Sequence, residues 1–171
     1  MRRLAALAPV AALIAAIALF AGFSLRHDPR VVPMAMVGKP LPDLTLPSLA
    51  GGGNASLRSV VRGPALVNFY ASWCAPCADE APALMALKAE GVSIVGVAYK
   101  DEPAAAAAFL GRFGDPYQAV LVDRTGAAGV EFGVTGVPET YAIDAAGLIR
   151  AKRATPITAA EAEDLLERAG R

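Results

Sequence analysis

The sequence predicts an α/β protein with a mixed central β-sheet that helices cover on both faces. Two apolar runs at residues 65–70 and 92–99 have the composition of buried strands, and segments rich in helix-forming residues follow them. A later pair of short strands, at residues 141–144 and 148–150, is separated by Ala-Ala-Gly and reads as a hairpin. Alternating strands and helices favour parallel pairing, whereas the hairpin adds antiparallel strands, so the sheet is expected to be mixed.

The first 25 residues are expected to anchor the protein in a membrane. Residues 4–25 contain no charged side chain, and as a helix they would span about 33 Å, enough to cross a bilayer. Arg2 and Arg3 favour a short cytoplasmic N-terminus at residues 1–3. A cleaved signal peptide is the alternative, with residues 18–21 as a mediocre cleavage site. Both interpretations export the rest of the chain.

A polar, proline-containing tether is predicted at residues 26–36, and a single domain at residues 37–171. Leu44 and Leu46 alternate with polar neighbours as in an edge strand, and residues 50–54 have the composition of a turn. Residues 56–61 follow as a short turn or helix. The domain therefore begins with small elements that precede the first buried strand.

A Cys-x-x-Cys sequence, Cys74 to Cys77, lies where the apolar strand at residues 65–70 is predicted to run into a helix. The first turn of a helix has unpaired backbone N–H groups and a positive dipole end, so it stabilises a thiolate at Cys74. Pro76 is compatible with this first turn. A zinc site is the alternative, but zinc needs about four ligands, and the chain has two Cys and one distant His. The pattern predicts a redox-active dithiol and no metal.

The remaining elements follow from composition and capping signals. Helices are predicted at residues 75–90, from Pro103 to Phe113 with Asp101 as a possible cap, and at 158–169. Thr158 and Glu161 have the spacing of a capping box in the last of these helices. Residues 119–122 are predicted to form a further strand, and residues 125–132 a short helix or turn.

Pro138 lies just before the predicted strand that contains Tyr141. A proline is unusual at this place unless its peptide bond is cis or the strand is an edge. Together with the Cys-x-x-Cys sequence, this proline makes the chain resemble the thioredoxin fold. The resemblance implies a cis Val137–Pro138 bond beside the dithiol. It also implies that Val137, Pro138 and the neighbouring Trp73 contact the substrate chain.

A narrower resemblance is to the CcmG/DsbE family of membrane-anchored periplasmic thioredoxin-like proteins of cytochrome c maturation. The matching segments are residues 37–43, 73–77, 99–101 and 136–144. The resemblance implies that Glu139 belongs to the active site. Where thioredoxins keep a buried Asp six residues before the first Cys, this chain has Asn68. Glu139 is then the candidate acid that takes the proton of Cys77, and a salt-bridged or surface Glu is the alternative.

The expected activity is thiol–disulfide exchange without a bound cofactor. Cys74 is expected to be the exposed nucleophile and Cys77 the buried resolving thiol. Ala75 and Pro76 add no charge between them, which favours a reducing dithiol. By resemblance, the substrate is the oxidised heme-binding Cys pair of apocytochrome c or a partner thiol protein, and a membrane thiol reductase supplies electrons. The same resemblance implies a single-pass inner-membrane protein with its catalytic domain in the periplasm.

Two other functions remain open at this level. One is a general extracytoplasmic thioredoxin-like oxidoreductase of another pathway. The other is a thiol chaperone for Cu(I), although such a site usually recruits a further soft or imidazole ligand, and only Met85 follows Cys77 in that role. Nucleic acid is not an expected partner, because 16 Lys and Arg balance 16 Asp and Glu without a basic patch.

Overall fold

The computed structural model describes residues 8–26 and 34–170 and divides the chain into two units, residues 1–32 and 33–171. In the first unit, helix α1 is Ala8–Arg26, which covers most of the predicted anchor. Across the described residues, no helix is both long enough and apolar enough to cross a membrane. The predicted N-terminus at residues 1–3, the start of the predicted anchor and most of the tether lie outside the described residues.

The second unit is built on a five-stranded sheet. Its strands are β3 Ala65–Tyr70, β4 Ile94–Tyr99, β5 Ala119–Asp123, β6 Glu139–Ile143 and β7 Ile149–Arg153. The strand order is β5-β4-β3-β6-β7. Strands β3, β4 and β5 pair in parallel, whereas β6 is antiparallel to both of its neighbours, β3 and β7. The mixed central sheet predicted from the sequence is therefore confirmed.

Helices cover both faces of this sheet, as predicted. They are α2 Leu57–Val60, α3 Ala75–Ala89, α4 Pro103–Phe113, α5 Ala127–Phe132 and α6 Ala159–Arg168. Side chains of α3, α4 and α6 belong to one buried apolar cluster, and those of α2 and α5 belong to the other. Helix α6 begins with the predicted capping box, in which Thr158 and Glu161 bond to each other's backbone N–H groups.

Strand β3 is the centre of the fold, because all six of its residues are buried and it pairs with β4 on one side and with β6 on the other. Successive side chains point to opposite faces of a strand. Leu66 and Tyr70 accordingly join the cluster that contains α3, and Val67 and Phe69 join the opposite cluster. Asn68 shares the face of Leu66 and Tyr70, which places a buried amide beneath α3.

The segment around Leu44 and Leu46 contains a short strand, as predicted, and this strand lies outside the five-stranded sheet. Strand β1, Thr45–Pro47, pairs with β2, Asn54–Ser56, in a separate two-stranded sheet. The sequence does not indicate β2, because its residues are small or polar and carry no strand pattern. Three consecutive glycines at residues 51–53 have positive φ angles, which lets the chain fold back on β1.

Two boundaries also differ from the sequence prediction. Strand β6 begins at Glu139, directly after Pro138, and β7 continues to Arg153. The assignment of Asp101 as the cap of α4 is wrong, because Glu102 is the N-cap residue and no side chain caps this helix.

Candidate active site

The two stretches singled out by the sequence meet at one edge of the sheet. Strands β3 and β4 end there, and the antiparallel β6 starts there. Phe69 pairs with Glu139, so the residue before Glu139 lies beside the C-terminal end of β3, where the chain leaves for Cys74. This edge, at the carboxyl ends of parallel strands, is where open α/β sheets commonly form their sites.

Cys74 is the N-cap residue of α3, and a disulfide joins it to Cys77 in the first turn. The backbone N–H of Cys77 donates a hydrogen bond to Cys74 Sγ over 3.2 Å. The sulfur that the sequence predicts as the nucleophile therefore accepts a hydrogen bond from an N–H group of the first helical turn, which also donates to the Cys74 carbonyl oxygen. An N–H donor and the positive end of the helix dipole both stabilise a thiolate at this position.

The expected contrast in exposure between the two sulfurs is not found in this disulfide-bonded state. Cys74 is 4% exposed and Cys77 is 2% exposed, so both are buried. The prediction of an exposed Cys74 is wrong here because the disulfide and the flanking cluster enclose both side chains. What distinguishes Cys74 is its place at the helix start.

The loop before Cys74 is held by residues that follow β4. Asp101 accepts hydrogen bonds from Ser72 N at 2.6 Å and from Ser72 Oγ at 2.8 Å. Trp73 Nε1 donates to the carbonyl oxygen of Lys100, while the Trp73 residue stays 60% exposed. An exposed indole fixed beside the disulfide offers apolar contact to an incoming chain.

Val137–Pro138 is a cis peptide bond, as predicted. Pro138 is buried, and Val137 is half-buried and packs against both apolar clusters. The register of β3 and β6 brings this bond to the edge that carries the disulfide. The structure thus brings five of the six predicted site residues to this edge, which are Trp73, Cys74, Cys77, Val137 and Pro138.

Glu139 is completely buried, and its carboxylate has four donors around it. Tyr141 Oη donates to Oε1, and Lys152 Nζ forms an ion pair with the same oxygen. Oε2 accepts hydrogen bonds from Thr135 N at 3.1 Å and Thr135 Oγ1 at 3.2 Å. Glu139 alternates with Thr140 along β6 and shares the face of Tyr141, whose ring belongs to the cluster on the far side of the sheet from the cysteines.

Lys152 completes a buried ion pair that holds the proline loop at two points. Its side chain is 2% exposed and also donates from Nζ to the carbonyl oxygen of Gly133 at 2.8 Å. Glu139 binds Thr135 from the other side. The contacts of Glu139 are those of a salt-bridged Glu, the alternative considered from the sequence. The role of Glu139 as the acceptor of the Cys77 proton stays a prediction.

A second buried carboxylate, Glu80, lies one helical turn after Cys77. Residues three apart on a helix lie on the same face, with Cβ atoms about 5–6 Å apart. Glu80 Oε1 accepts from Asn68 Nδ2 at 2.9 Å, and Oε2 accepts from Ile157 N at 3.1 Å. Burial raises the pKa of Glu80 to about 7, against the lowering effect of these two hydrogen bonds.

Two signals in the sequence point to Glu80 as a residue of the site. Its spacing of three from Cys77 puts it on the same helical face. Asn68 stands where thioredoxins keep an acid, and a buried amide needs an acceptor for its N–H groups. In the structure, the carboxylate that Asn68 lacks is supplied from the facing helix.

Comparisons with known proteins agree with this geometry. Residues 36–166 match the Redoxin family. The thiol:disulfide interchange protein DsbE of Allochromatium vinosum is 42% identical over 139 residues, which cover 80% of this chain and 77% of that protein. HelX of Rhodobacter capsulatus, also a thiol:disulfide interchange protein, is 41% identical over 134 residues, covering 78% and 76%.

Solved structures show the same fold. A thio-disulfide isomerase from Thermus thermophilus superimposes with a TM-score of 0.65 and 29% identity, covering 78% of this chain and 96% of that chain. A secreted disulfide oxidoreductase of Mycobacterium tuberculosis, homologous to DsbE of E. coli, gives 0.62 and 25%, covering 75% and 95%. The sheet with its Cys-x-x-Cys helix is therefore thioredoxin-like.

Proposed function

The chain belongs to the Redoxin family and, within it, to the DsbE-type thiol:disulfide interchange proteins, and we propose that it serves cytochrome c maturation as a disulfide reductant. Thiol–disulfide oxidoreductase activity follows from the family and from the Cys74–Cys77 disulfide at a helix start. The observation that supports the reducing direction is the uncharged dipeptide between the cysteines, since Ala75 and Pro76 add no side-chain donor that would further stabilise a thiolate.

In the proposed reaction, the reduced protein begins with a thiolate at Cys74 and a thiol at Cys77. Cys74 attacks one sulfur of a substrate disulfide, forms a mixed disulfide and releases the other substrate sulfur as a thiolate. Cys77 then loses its proton and attacks Cys74 Sγ. The bond between Cys74 and the substrate breaks, the second substrate thiolate leaves, and the protein disulfide seen here forms. Two electrons pass from the protein to the substrate.

The proton of Cys77 needs an acceptor inside a buried site, and Glu80 is the carboxylate on the same face of α3. With a pKa of about 7, Glu80 is partly ionised near neutral pH, which suits a general base. As pH falls through this value, burial favours the neutral acid, so resolution by Cys77 should slow. Glu139 is the second candidate, with its carboxylate bound to Lys152.

We expect Glu80→Gln to slow the resolution step at least about tenfold at neutral pH, because an amide cannot take up a proton. The two steps are separated with dithiobis-nitrobenzoate, which releases one coloured thiolate on attack and a second on resolution. Attack by Cys74 should change less than resolution. Asp79→Asn is the matched control, because Asp79 is the adjacent carboxylate on α3 but is exposed.

Glu139→Gln decides between the two carboxylates in the same experiment. If it slows the second release while Glu80→Gln leaves it at the wild-type rate, then Glu139 is the acceptor and the assignment to Glu80 is wrong. If Glu80→Gln alone slows it, Glu139 acts through the proline loop.

The proposed substrate is the oxidised heme-binding Cys pair of apocytochrome c, or a thiol protein that acts on it. An exposed Trp73 beside the disulfide and a half-buried Val137 before the cis bond support docking of an extended chain. A membrane thiol reductase would return the disulfide to the dithiol state.

Capture in cells tests this substrate. In Cys77→Ser protein the mixed disulfide is not resolved, so the partner stays attached and is identified by mass spectrometry. An apocytochrome c or a thiol protein of its maturation is expected. A broad set of unrelated exported proteins would instead support a general extracytoplasmic oxidoreductase.

The proposed location is the inner membrane, with one span and a periplasmic catalytic domain. The uncharged run at residues 4–25 supports this proposal, together with Arg2 and Arg3 before it. Fractionation should leave the full-length chain in the membrane after an alkaline wash. A shortened chain in the soluble periplasmic fraction would indicate a cleaved signal peptide instead.

A further inference from the structure

Asn68 is the centre of a buried hydrogen-bond network that reaches beyond Glu80 to a tyrosine. Asn68 Nδ2 donates to Glu80 Oε1 and to Thr140 Oγ1, each at 2.9 Å. On the other side of the amide, Tyr117 Oη donates to Asn68 Oδ1 at 2.7 Å. Tyr117 lies in the segment before β5 and is buried, so solvent does not compete for this bond.

Strand β4 leaves space for the Tyr117 ring at Gly96. Gly96 pairs with Asn68 across β3 and β4, and a Cβ atom at Gly96 would lie 2.7 Å from Tyr117 Cδ2. A glycine inside a strand often marks a close approach of this kind. The ring also stacks on Tyr70, with centroids 5.1 Å apart. Position 96 must therefore lack a side chain for the Tyr117 hydroxyl to reach Asn68.

The direction of the Asn68 amide matters for the Glu80 carboxylate. An ionised carboxylate only accepts hydrogen bonds, so the amide must present its NH₂ group to Glu80 and its oxygen to Tyr117. Without the Tyr117 hydroxyl, that oxygen would be buried with no donor, and the carboxylate-binding orientation would lose support. A reversed amide would instead accept a hydrogen bond from a protonated Glu80.

We propose that Tyr117 is a positioning residue that fixes the Asn68 amide toward Glu80 and thereby sets how readily the Glu80 carboxylate takes the proton of Cys77. This inference rests on the proposed role of Glu80 in the exchange reaction and extends it to a residue that touches neither sulfur nor substrate. Gly96 supports it by leaving space for the ring.

The charged and titratable groups around this network are few among the described residues. Cys77 faces Glu80 from their shared helix α3, and Tyr117 and Tyr70 approach from the far side of Asn68. Burial raises the pKa of Tyr117 well above its ordinary value, and the nearby Tyr70, Glu80 and Asp115 raise it further, so the hydroxyl remains a donor at physiological pH. Thr140 and the Ile157 N–H complete the contacts and do not titrate.

The test compares Tyr117→Phe with wild-type protein in the two-step release from dithiobis-nitrobenzoate between about pH 6 and pH 8.5. The pH at which the resolution rate reaches half of its maximum is the midpoint. Loss of one hydrogen bond to the network should raise this midpoint by about 0.7 pH unit, and at pH values below the midpoint it should slow resolution about fivefold. Attack by Cys74 should stay within about twofold of wild type. Gly96→Ala, which displaces the ring, should shift the midpoint in the same direction.

Tyr70→Phe is the matched control. The Tyr70 ring stacks on the Tyr117 ring, and its hydroxyl is also buried but has no hydrogen-bond partner within the described structure. Its midpoint should not move. In a Glu80→Gln background, Tyr117→Phe should lose its effect on resolution.

Three results would overturn the inference. A wild-type profile without a midpoint removes the proposed role of Glu80 and this inference with it. A wild-type midpoint that Tyr117→Phe does not move overturns the inference alone. An undiminished effect of Tyr117→Phe in the Glu80→Gln background would make Tyr117 a merely structural residue.

Discussion

Replacement of Cys74 by Ser is expected to reduce the rate of thiol–disulfide exchange to less than about one-thousandth of the wild-type rate. The thiolate is the attacking group, and a serine hydroxyl at the same helix start is not ionised at neutral pH. Cys74 is the N-cap residue of α3 and its sulfur accepts the Cys77 N–H, an arrangement a hydroxyl oxygen can keep. The measurement is the initial release of coloured thiolate from dithiobis-nitrobenzoate by the reduced protein.

Cys77→Ser is the control for this loss. It should release the first thiolate at close to the wild-type rate and then stop, leaving a stable adduct on Cys74 that mass spectrometry detects. Both variants lack the disulfide, so a difference between them cannot come from the missing cross-link. A fast first release from Cys74→Ser and none from Cys77→Ser would reverse the roles of nucleophile and resolving thiol.

Replacement of Lys152 by Met is expected to lower the free energy of unfolding by about 3–5 kcal/mol. Removing one member of a buried ion pair leaves the other charge without compensation, and Glu139 has no exposed surface. The variant also removes the hydrogen bond from Lys152 Nζ to the Gly133 carbonyl oxygen. Denaturant unfolding of the oxidised protein measures the change directly.

Arg168→Met is the matched surface control, because Arg168 pairs with Asp164 while both side chains are more than half exposed. Such a pair contributes less than about 1 kcal/mol, so this variant should unfold almost as wild type. Adding Glu139→Gln to Lys152→Met should recover part of the lost stability. Equal small losses for Lys152→Met and Arg168→Met would show that the buried pair does not hold the proline loop.

Much of the fold followed from the sequence because its main elements have strong local patterns. The apolar strand before Cys74 and the capping box of Thr158 and Glu161 are both short-range signals. Strand β2 has no such pattern, and it forms because the glycine turn at residues 51–53 brings it against β1. That pairing is a tertiary effect.

In the candidate site, too, some features can be identified from the sequence and others depend on tertiary structure. Cys74, Cys77 and Pro138 are identified by spacing and by chain position, and the structure brings the proline loop and the cysteines to one edge. The contacts of Glu139 depend on which face of the sheet its side chain occupies, and those of Glu80 depend on how α3 packs against Asn68 of β3. A shift of one residue along β6 would reverse the face of Glu139, so its side of the sheet could not be known before the register was known.

The reduction potential of the Cys74–Cys77 pair tests the central claim that this protein is a disulfide reductant. It is measured by equilibrating the protein with glutathione buffers of known ratio and counting reduced protein by alkylation and mass. With an uncharged Ala75–Pro76 dipeptide and the buried Glu80 carboxylate on the same helix, we expect a potential of roughly −200 to −270 mV. A value near about −120 mV, typical of a strong oxidant, would contradict the reducing function.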